Sequence, residues 1–283
     1  MADGDPRPGR DRNLRKVSIC VLTYGDYPDL ARRVIESIRR FCPRSDYELV
    51  VGANAVCSET LAYLEELLSV GALDYLLHNP RNLNKCPMMR RMFERVTADL
   101  IWWFDDDSYI CAPGAFSQWM EAVHAAAAST VMWGAMYRCP STGAFTDLED
   151  IVGFVRRASW YRGLPPPSWR PGGKGEFNLD NYNCGDGRWD FITGGCWLIR
   201  TSAIRALDWP DRRLIKLGDD VLLGEAIRQQ GWAIQNIGAP GVAVNTESRR
   251  GDPGYLAGAS RTDSPGGPFA EPIASEPIMK DLG

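Results

Sequence analysis

The sequence predicts an α/β fold, a single domain whose mostly parallel central sheet is flanked by helices. Two observations predict this class. Short, continuously apolar runs rich in β-branched residues alternate with longer segments whose apolar side chains recur at helical spacing. Such alternation is typical of a parallel sheet with helices on both faces. The composition agrees, because 283 residues with 45% hydrophobic and 24% charged side chains are typical of a globular chain with a sizeable core.

The first half of the chain repeats a strand followed by a helix. VSICVLTY, residues 17–24, predicts the first strand, and DLARRVIESIRRFC predicts the helix after it, which Pro43 ends. The pattern returns as YELVVGANA with ETLAYLEELLSV and as LDYLLHN with CPMMRRMFERV, before the strand DLIWWF. Ligands of such sheets bind outside the carboxyl ends of the strands. The positions where we expect a site are therefore Thr23, Tyr24, the segment 52–54 and the segment 105–107.

The second half of the chain is less regular. The strand VMWGAMY precedes a stretch containing LPPPSWRPGGKGEFN, whose proline and glycine content disfavours regular structure. Strand and helix patterns return in RWDFITGGCWLIRTSAIRAL and in LGDDVLLGEAIRQQGWAIQNIG, where a helix ends at Gly231 and a strand follows. The sequence thus predicts a basic, disordered N-terminal tail (1–15), one folded domain (16–245) and a Pro- and Gly-rich C-terminal tail or lid (246–283).

Charge and composition argue against several functions. A net charge of −4 and a pI near 5.4 provide no broad basic surface for nucleic acid. No uncharged run approaches the ~20 residues that span a bilayer, so we expect no transmembrane segment and a cytoplasmic protein. The eight cysteines form no CxxC pair, which favours free thiols in a reducing compartment. His78 and His124, the two histidines, leave little material for a zinc site or a serine triad.

The segment FDDDSYI places three consecutive carboxylates, Asp105, Asp106 and Asp107, directly after the apolar strand IWWF. Like charges packed together raise the free energy unless a cation neutralises them. Hard oxygen ligands at positions i and i+2 suit Mg²⁺ or Mn²⁺, which keep open positions for water and substrate phosphates. A solvated acidic turn is the alternative, although such turns seldom follow so apolar a strand. The spacing favours a metal site at Asp105 and Asp107.

A second acidic feature, Asp219 and Asp220, begins the helix predicted in LGDDVLLGEAIRQQGW. Carboxylates are also what an ordinary helix N-terminus prefers, because they cap it and complement its dipole. Taken alone, this structural role is as good an interpretation as a catalytic one. Together with a metal-binding cluster, however, one of these carboxylates is a candidate general base for an attacking hydroxyl group.

Glycines and basic side chains supply the remaining candidates. Gly194 and Gly195 in ITGGCW permit close approach of the backbone to a ligand, although a tight turn uses such glycines equally often. Lys85, Arg90 and Arg91 precede the acidic strand and are candidates to bind phosphate. For any one of them, a place on a solvated helical face is the more common role.

In order and spacing, VSICVLTYG, YELVVGANA, RNLNKCPMMRRM and FDDDSYI together resemble the GT-A glycosyltransferases, especially family 2. GDDVLLGEAIRQQGW resembles the ED motif of that family and the helix after it. WWFDDDSYI and ITGGCWLIRTSAIRAL are also similar to the Fringe and β-1,3-galactosyltransferase relatives, which share the fold. The resemblance covers about residues 17–240. It implies a Rossmann-like GT-A domain with a nucleotide-sugar-binding half (16–112) and an acceptor-binding half (113–245).

The resemblance also implies an activity: metal-dependent, inverting transfer of a single sugar from a nucleotide-sugar donor, a UDP-sugar, to an acceptor hydroxyl. Asp107 would bind Mn²⁺ or Mg²⁺, Asp105 would lie near the ribose or the metal, and Asp220 would be the base, supported by Asp219. Where family 2 commonly has an aspartate that contacts the nucleotide base, this chain has Gly52, and we expect Asn54 to substitute. The expected donor-binding residues are Thr23, Tyr24, Asn54, Lys85, Arg90, Asp105, Asp106, Gly194 and Gly195.

Two other functions stay open. A nucleotidyltransferase also combines acidic metal ligands with a parallel sheet, but it would need a Gly-rich phosphate loop and a lysine that VLTYGDYPDL lacks. A degenerate protein that binds a glycan or a partner through the proline-rich loop is disfavoured by the intact carboxylates. Tryptophans of the irregular region are candidates to stack on sugar or to pack in the core, namely Trp160, Trp169, Trp189 and Trp197. The sugar, the acceptor and the oligomeric state, a homodimer included, are left open.

Overall fold

The computed structural model describes residues 16–139, 154–164, 189–215 and 219–247. The strands are β1 (Val17–Gly25), β2 (Tyr47–Val56), β3 (Tyr75–Asn79), β4 (Leu100–Asp105), β5 (Tyr109–Ile110), β6 (Thr130–Cys139), β7 (Trp189–Arg200), β8 (Ala233–Asn236) and β9 (Val242–Ala243). The helices are α1 (Pro28–Phe41), α2 (Ser58–Ser69), α3 (Lys85–Phe93), α4 (Ala115–Ala125), α5 (Thr201–Leu207) and α6 (Asp219–Gln229).

The centre of the fold is a seven-stranded sheet in the order β3-β2-β1-β4-β7-β6-β8. β3, β2, β1 and β4 run parallel, whereas β7 is antiparallel to both of its neighbours, β4 and β6. β8 pairs in parallel with β6 at the other edge, and β5 and β9 form a small separate sheet. The mostly parallel α/β sheet predicted from the sequence is therefore confirmed.

Helices cover both faces of this sheet because its central strands are apolar on both sides. Along β1, Val17, Ile19 and Val21 belong to one buried cluster, and Cys20 and Leu22 belong to the other. A strand with two apolar faces must be covered twice to remain out of water. The α1 side chains Ala31, Val34, Ile35 and Ile38 are buried at the spacing of a single helical face.

The double glycine lies inside a strand rather than at a turn between elements. β6 and β7 lose register where Gly134 faces Trp197 and Met136 faces Ile192, so residues 193–196 form a bulge. Extra residues in a bulge change the direction of a strand and often lie next to functional sites. Gly194 and Gly195 are therefore presented at the end of the sheet where β4 terminates.

Trp160 and Trp197, both only 1% exposed, lie in the core and not on a sugar-binding surface. Trp197 stacks on Trp103 with the ring centroids 5.6 Å apart, which explains its burial. Of the two roles expected for these tryptophans, packing in the core is the one that Trp160 and Trp197 have. Trp169 and the side chain of Trp189 lie outside the described residues, so for them either role stays a prediction.

Other expectations from the sequence have mixed outcomes. The described cysteines are free thiols, as predicted: Cys20, Cys42, Cys57, Cys86, Cys111 and Cys196. Within the described ranges, none of the helices has the length and apolar character needed to cross a membrane. The tail 1–15 and most of the proline-rich stretch lie outside the described residues. Thr246 and Glu247, the first residues of the predicted tail or lid, form hydrogen bonds to Asp107 and Arg33 of the domain.

Candidate functional site

The acidic loop, residues 105–108, follows β4 at the carboxyl end of the parallel strands. Its turn is closed by the Ser108 amide, which donates to the Asp105 carbonyl at 3.0 Å. The carboxylate of Asp106, 2% exposed, accepts a hydrogen bond from the Tyr24 amide at 3.1 Å. Asp106 thus joins the acidic loop to the end of β1, which is a structural role for one of the predicted donor-binding residues.

Asp105 is held by two donors. The Trp103 indole Nε1–H donates to Oδ1 at 3.0 Å, and the Lys85 ammonium donates to Oδ2 at 2.9 Å. Because Trp103 is fully buried and lies on β4, two residues before Asp105, the strand itself orients this carboxylate. Asp105 therefore has a fixed direction at the edge of the site.

Lys85 connects the acidic loop to α6 and β7. Its Nζ lies 2.9 Å from Asp105 Oδ2, 3.3 Å from Asp219 Oδ2 and 3.1 Å from the Gly194 carbonyl oxygen. Burial by itself would lower the pKa of the Lys85 ammonium, but the Asp105 and Asp219 carboxylates outweigh it and raise that pKa above its ordinary value. Lys85 is thus a charged residue between two parts of the site that are distant in the sequence.

Asp219 and Asp220 form the first turn of α6 and have different surroundings. Burial raises the pKa of Asp219, although the neighbouring Lys85 ammonium opposes this. Burial, and then the charge of Asp219, raise the pKa of Asp220 to about 6. Asp220 Oδ1 accepts a hydrogen bond from the Val221 amide at 2.8 Å. A carboxylate with a pKa near 6 accepts protons at neutral pH more readily than an ordinary aspartate, as a general base requires.

The carboxylates of the acidic loop are suited to a divalent metal. Within the described residues, no group of three or more His, Cys, Asp or Glu side chains is arranged to hold a metal ion. Mg²⁺ and Mn²⁺ are, however, often bound by one or two carboxylates, with water and substrate phosphates completing the shell. Asp107, 8% exposed and two positions after Asp105, lies at the same edge, so Asp105 and Asp107 are the candidate ligands.

A segment that the sequence analysis missed closes this end of the site. We call residues 245–247 the C-terminal clasp. The Asn245 amide donates to Ser108 Oγ at 3.1 Å, and its side-chain Nδ2 donates to Thr193 Oγ1 at 3.0 Å. Thr246 donates to the Asp107 carbonyl oxygen through its amide at 2.9 Å and its hydroxyl at 2.8 Å. The clasp therefore fixes the backbone at the candidate metal ligand.

The two adjacent glycines of β7 make room for different neighbours. A Cβ atom at Gly195 would overlap the carboxamide of Asn245, whose Cγ would be 2.7 Å away. A Cβ atom at Gly194 would lie 3.0 Å from the Lys85 Nζ. The predicted close approach at these glycines is thus to the protein's own side chains. Asn245 itself carried only a weak signal, because asparagine tolerates the left-handed backbone that it adopts at φ 50°.

Thr23 and Asn54 lie at the carboxyl ends of their strands, but internal hydrogen bonds use their side chains. The Thr23 hydroxyl donates to the Gly52 carbonyl oxygen at 3.1 Å. Asn54 Oδ1 accepts from the Leu83 amide at 2.9 Å, and its Nδ2 donates to Asn82 Oδ1 at 3.0 Å. Asn54 thus stabilises the loop before α3.

Two further positions have clear structural explanations. A Cβ atom at Gly52 would lie 2.5 Å from Met92 Sδ on α3, so the aspartate that family 2 commonly has there would require the Met92 side chain to move. The structure does not bring Arg90 to the carboxylates. Its guanidinium donates to the Asp208 and Pro210 carbonyl oxygens, the latter at 2.7 Å, and forms an ion pair with Asp208.

Comparisons with known proteins agree with this architecture. A family model described as "Glycosyltransferase like family 2" matches residues 15–261. None of the curated proteins matches the chain. The mannosyltransferase PcManGT from Pyrobaculum calidifontis, solved in complex with GDP-Man and Mn²⁺, has a similar structure, with a TM-score of 0.53 and 15% sequence identity. The likeness covers 82% of this chain and 58% of that one, and at this identity it bears on the fold alone.

Two solved structures of S. aureus TarS are weaker matches. The structure of its residues 1–349 has a TM-score of 0.46 at 14% identity, covering 75% of this chain and 55% of that one. The longer TarS structure also has a TM-score of 0.46 at 14% identity, covering 83% of this chain and 37% of that one. The chain therefore spans less than two thirds of the length of each of these proteins. The similarity of the acidic and double-glycine segments to Fringe relatives stays a prediction.

Proposed function

This chain belongs to the glycosyltransferase-like family 2, and on that premise we propose that it is a metal-dependent, inverting glycosyltransferase. It would transfer one sugar from a nucleotide-sugar donor to an acceptor hydroxyl. The observation that carries the proposal is the meeting of Asp105 and Asp219, 114 positions apart in the sequence, on the Lys85 ammonium. This contact brings donor-side carboxylates and a candidate base to one edge of the sheet.

In the proposed reaction Asp220 accepts the proton of the acceptor hydroxyl. The acceptor oxygen forms a bond to the anomeric carbon while the bond from that carbon to the phosphate oxygen breaks, and the nucleoside diphosphate leaves with the bonding electrons. A single displacement of this kind inverts the anomeric configuration. Asp219, paired with Lys85 at 3.3 Å, orients the first turn of α6 so that Asp220 faces the acceptor.

Asp107 and Asp105 are the residues that would hold the metal, with Asp107 the principal ligand. When bound, Mn²⁺ or Mg²⁺ would offset the negative charge of the leaving diphosphate. The C-terminal clasp keeps the Asp107 carbonyl in place through Thr246, which supports a fixed metal ligand. Lys85 also balances part of the negative charge of the acidic loop, through its ion pair with Asp105.

The donor is a nucleoside diphosphate sugar in this proposal. Family resemblance favours a UDP-sugar, whereas the similar mannosyltransferase structure holds GDP-Man, so both nucleotides belong in the test. Because the Thr23 and Asn54 side chains have internal hydrogen-bond partners, we propose that they shape the wall of the donor pocket. The backbone at the ends of β1 and β2 would then contact the nucleotide.

The proposal is tested by the thermal stability of the wild-type protein and of Asp107→Ala against UDP, GDP and their sugar conjugates, with and without Mn²⁺. A ligand that binds the native state raises the melting temperature. We expect one nucleotide to raise it only when Mn²⁺ is present, and we expect Asp107→Ala to abolish that shift. Glu65→Ala, at an exposed position on α2, is the control for loss of a carboxylate. If none of the nucleotides shifts the wild type, the proposed donor site is wrong.

A further inference from the structure

Lys85 occupies a position that local helix preferences disfavour. It is the first residue of α3, where the positive end of the helix dipole favours acidic side chains and disfavours a lysine. No acidic residue is present in the first turn of α3 to compensate. When a residue breaks a local preference, its reason often lies in a functional site.

The preceding loop delivers Lys85 to this position. Asn84, just before α3, has a positive φ of 65°, and its amide donates to Asn82 Oδ1 at 2.7 Å. Asn82 in turn accepts from Asn54 Nδ2, and Cys86 donates its amide to the Ile215 carbonyl oxygen at 3.2 Å. These contacts hold the start of α3 between β2 and the segment before α6. The side chain of Lys85 therefore enters the site from a fixed point.

The contacts of Lys85 connect its ammonium group to three oxygens of the site. An ammonium group has three N–H donors and no acceptor. The three oxygens around Nζ are Asp105 Oδ2 at 2.9 Å, Gly194 O at 3.1 Å and Asp219 Oδ2 at 3.3 Å. The ammonium group thus donates two hydrogen bonds within the protein and forms an ion pair with a second carboxylate, and a donor phosphate would have to compete with these oxygens.

Gly194 provides the space that this arrangement needs. A Cβ atom there would be 3.0 Å from Lys85 Nζ and 3.7 Å from both Asp219 Oδ2 and Asp220 Oδ2. A side chain at position 194 would therefore crowd the Lys85 ammonium and make van der Waals contact with both carboxylates of α6. The nearby Lys85 ammonium therefore explains the glycine at position 194, and the Asn245 carboxamide explains the glycine at position 195.

From these contacts we propose that Lys85 is a positioning residue, which holds the acidic loop and the start of α6 together and is not a ligand of the donor phosphates. Without its charge, Asp105 and Asp219 would face each other as like charges in a partly buried site, and the two parts would separate. The inference rests on the proposed function, because it assigns Asp219 and Asp220 to the base side and Asp105 to the donor side.

Lys85→Met removes the charge and keeps most of the side-chain volume, and Lys85→Met/Asp219→Asn removes the opposing charge as well. We expect Lys85→Met to lower the melting temperature and to reduce turnover of a sugar nucleotide by about tenfold or more. The charge-balanced double variant should recover most of the melting temperature. It should also bind the nucleotide, UDP or GDP with Mn²⁺, within about threefold of wild type by calorimetry. Arg81→Met, at an exposed position before α3, is the control for loss of a basic residue.

The opposite outcome is equally specific. If the double variant is as stable as wild type but binds the nucleotide more than about tenfold more weakly, Lys85 is a phosphate ligand and the inference is overturned. If wild type binds neither UDP nor GDP, the proposed function fails, and the melting temperatures still decide the inference. In that case, the melting temperatures of Lys85→Met, Asp219→Asn and the double variant are compared. If the two single losses simply add in the double variant, Lys85 does not hold the acidic loop and α6 together through Asp219.

Discussion

The two halves of the sheet differ in how the chain builds them. In the parallel half, β1 to β4, the first three strands are each followed by a helix, and the pairings β1 with β2 and β2 with β3 join strands that are neighbours along the chain. In the mixed half, β7 inserts antiparallel between β4 and β6, and β8 returns to pair with β6. The first half follows a repeating local rule, whereas the second depends on long-range packing.

The candidate site takes its groups from both halves. The parallel half supplies the acidic loop and Lys85, and the mixed half supplies Asp219, Gly194 and Asn245. Each of these contacts across the boundary joins residues more than a hundred positions apart, as in the bond from the Asn245 amide to Ser108 Oγ, 137 residues away. The comparison teaches that groups from the mixed half should matter to the site as much as the acidic loop does.

The largest effect is expected at Asp220, the base from the mixed half. Asp220→Asn keeps the size of the side chain but removes proton acceptance, so turnover should fall by about 10²–10⁴-fold. Nucleotide affinity measured by calorimetry should stay close to wild type, because the donor side is intact. Asp219→Asn makes the same chemical change at the neighbouring position, and it should reduce turnover less than Asp220→Asn does. Unchanged turnover in Asp220→Asn would show that the base lies elsewhere.

Gly195→Ala tests the packing between β7 and the C-terminal clasp. The added methyl group would overlap the Asn245 carboxamide, so we expect the free energy of unfolding to fall by about 1–3 kcal/mol. Asn245→Gly removes that carboxamide, and glycine tolerates the φ of 50° at this position. Chemical denaturation of the double variant Gly195→Ala/Asn245→Gly should therefore show recovery relative to Gly195→Ala. An absence of recovery would mean that the overlap with Asn245 is not the cause.

The pKa of Asp220 predicts the pH dependence of the reaction. The base acts when deprotonated, and burial raises the pKa of Asp220 to about 6, so turnover should increase through this pH and level off above it. Below the pKa, kcat/KM should fall by about tenfold per pH unit. Initial rates in overlapping buffers between about pH 5 and 8 measure this limb. A profile that is flat down to pH 5 would be inconsistent with a base of this pKa.

The smallest effect is expected for Arg90→Met. Its comparison with Lys85→Met contrasts two basic residues of the same helix, α3. Arg90 contacts Asp208 and Pro210, so its loss should lower the free energy of unfolding by about 1 kcal/mol. Calorimetry should show unchanged nucleotide affinity, and turnover should also be unchanged. A loss of affinity in Arg90→Met would support the prediction that this residue binds phosphate.

Much of the site could be predicted from the rule that ligands of a parallel sheet bind at the carboxyl ends of its strands. That rule selected Asp105 and the segment around it, and the structure joins Asp105 to Asp219 through Lys85. It could not separate Lys85 from Arg90, which are five residues apart on α3 and so point in directions ~140° apart. Which of these directions faces the carboxylates depends on how α3 packs on the sheet.

The α/β class, the order of the elements and the two acidic motifs can be identified in the amino-acid sequence without the structure. These follow from apolar periodicity and from residues close together in the chain, whose contacts a single segment specifies. The reversed direction of β7, the clasp at Asn245 and the contacts of Lys85 with three oxygens arise only when distant segments pack together. Each of these features depends on which distant segments lie side by side in the sheet. Local apolar periodicity is the same in every possible strand order, so it does not specify which segments become neighbours.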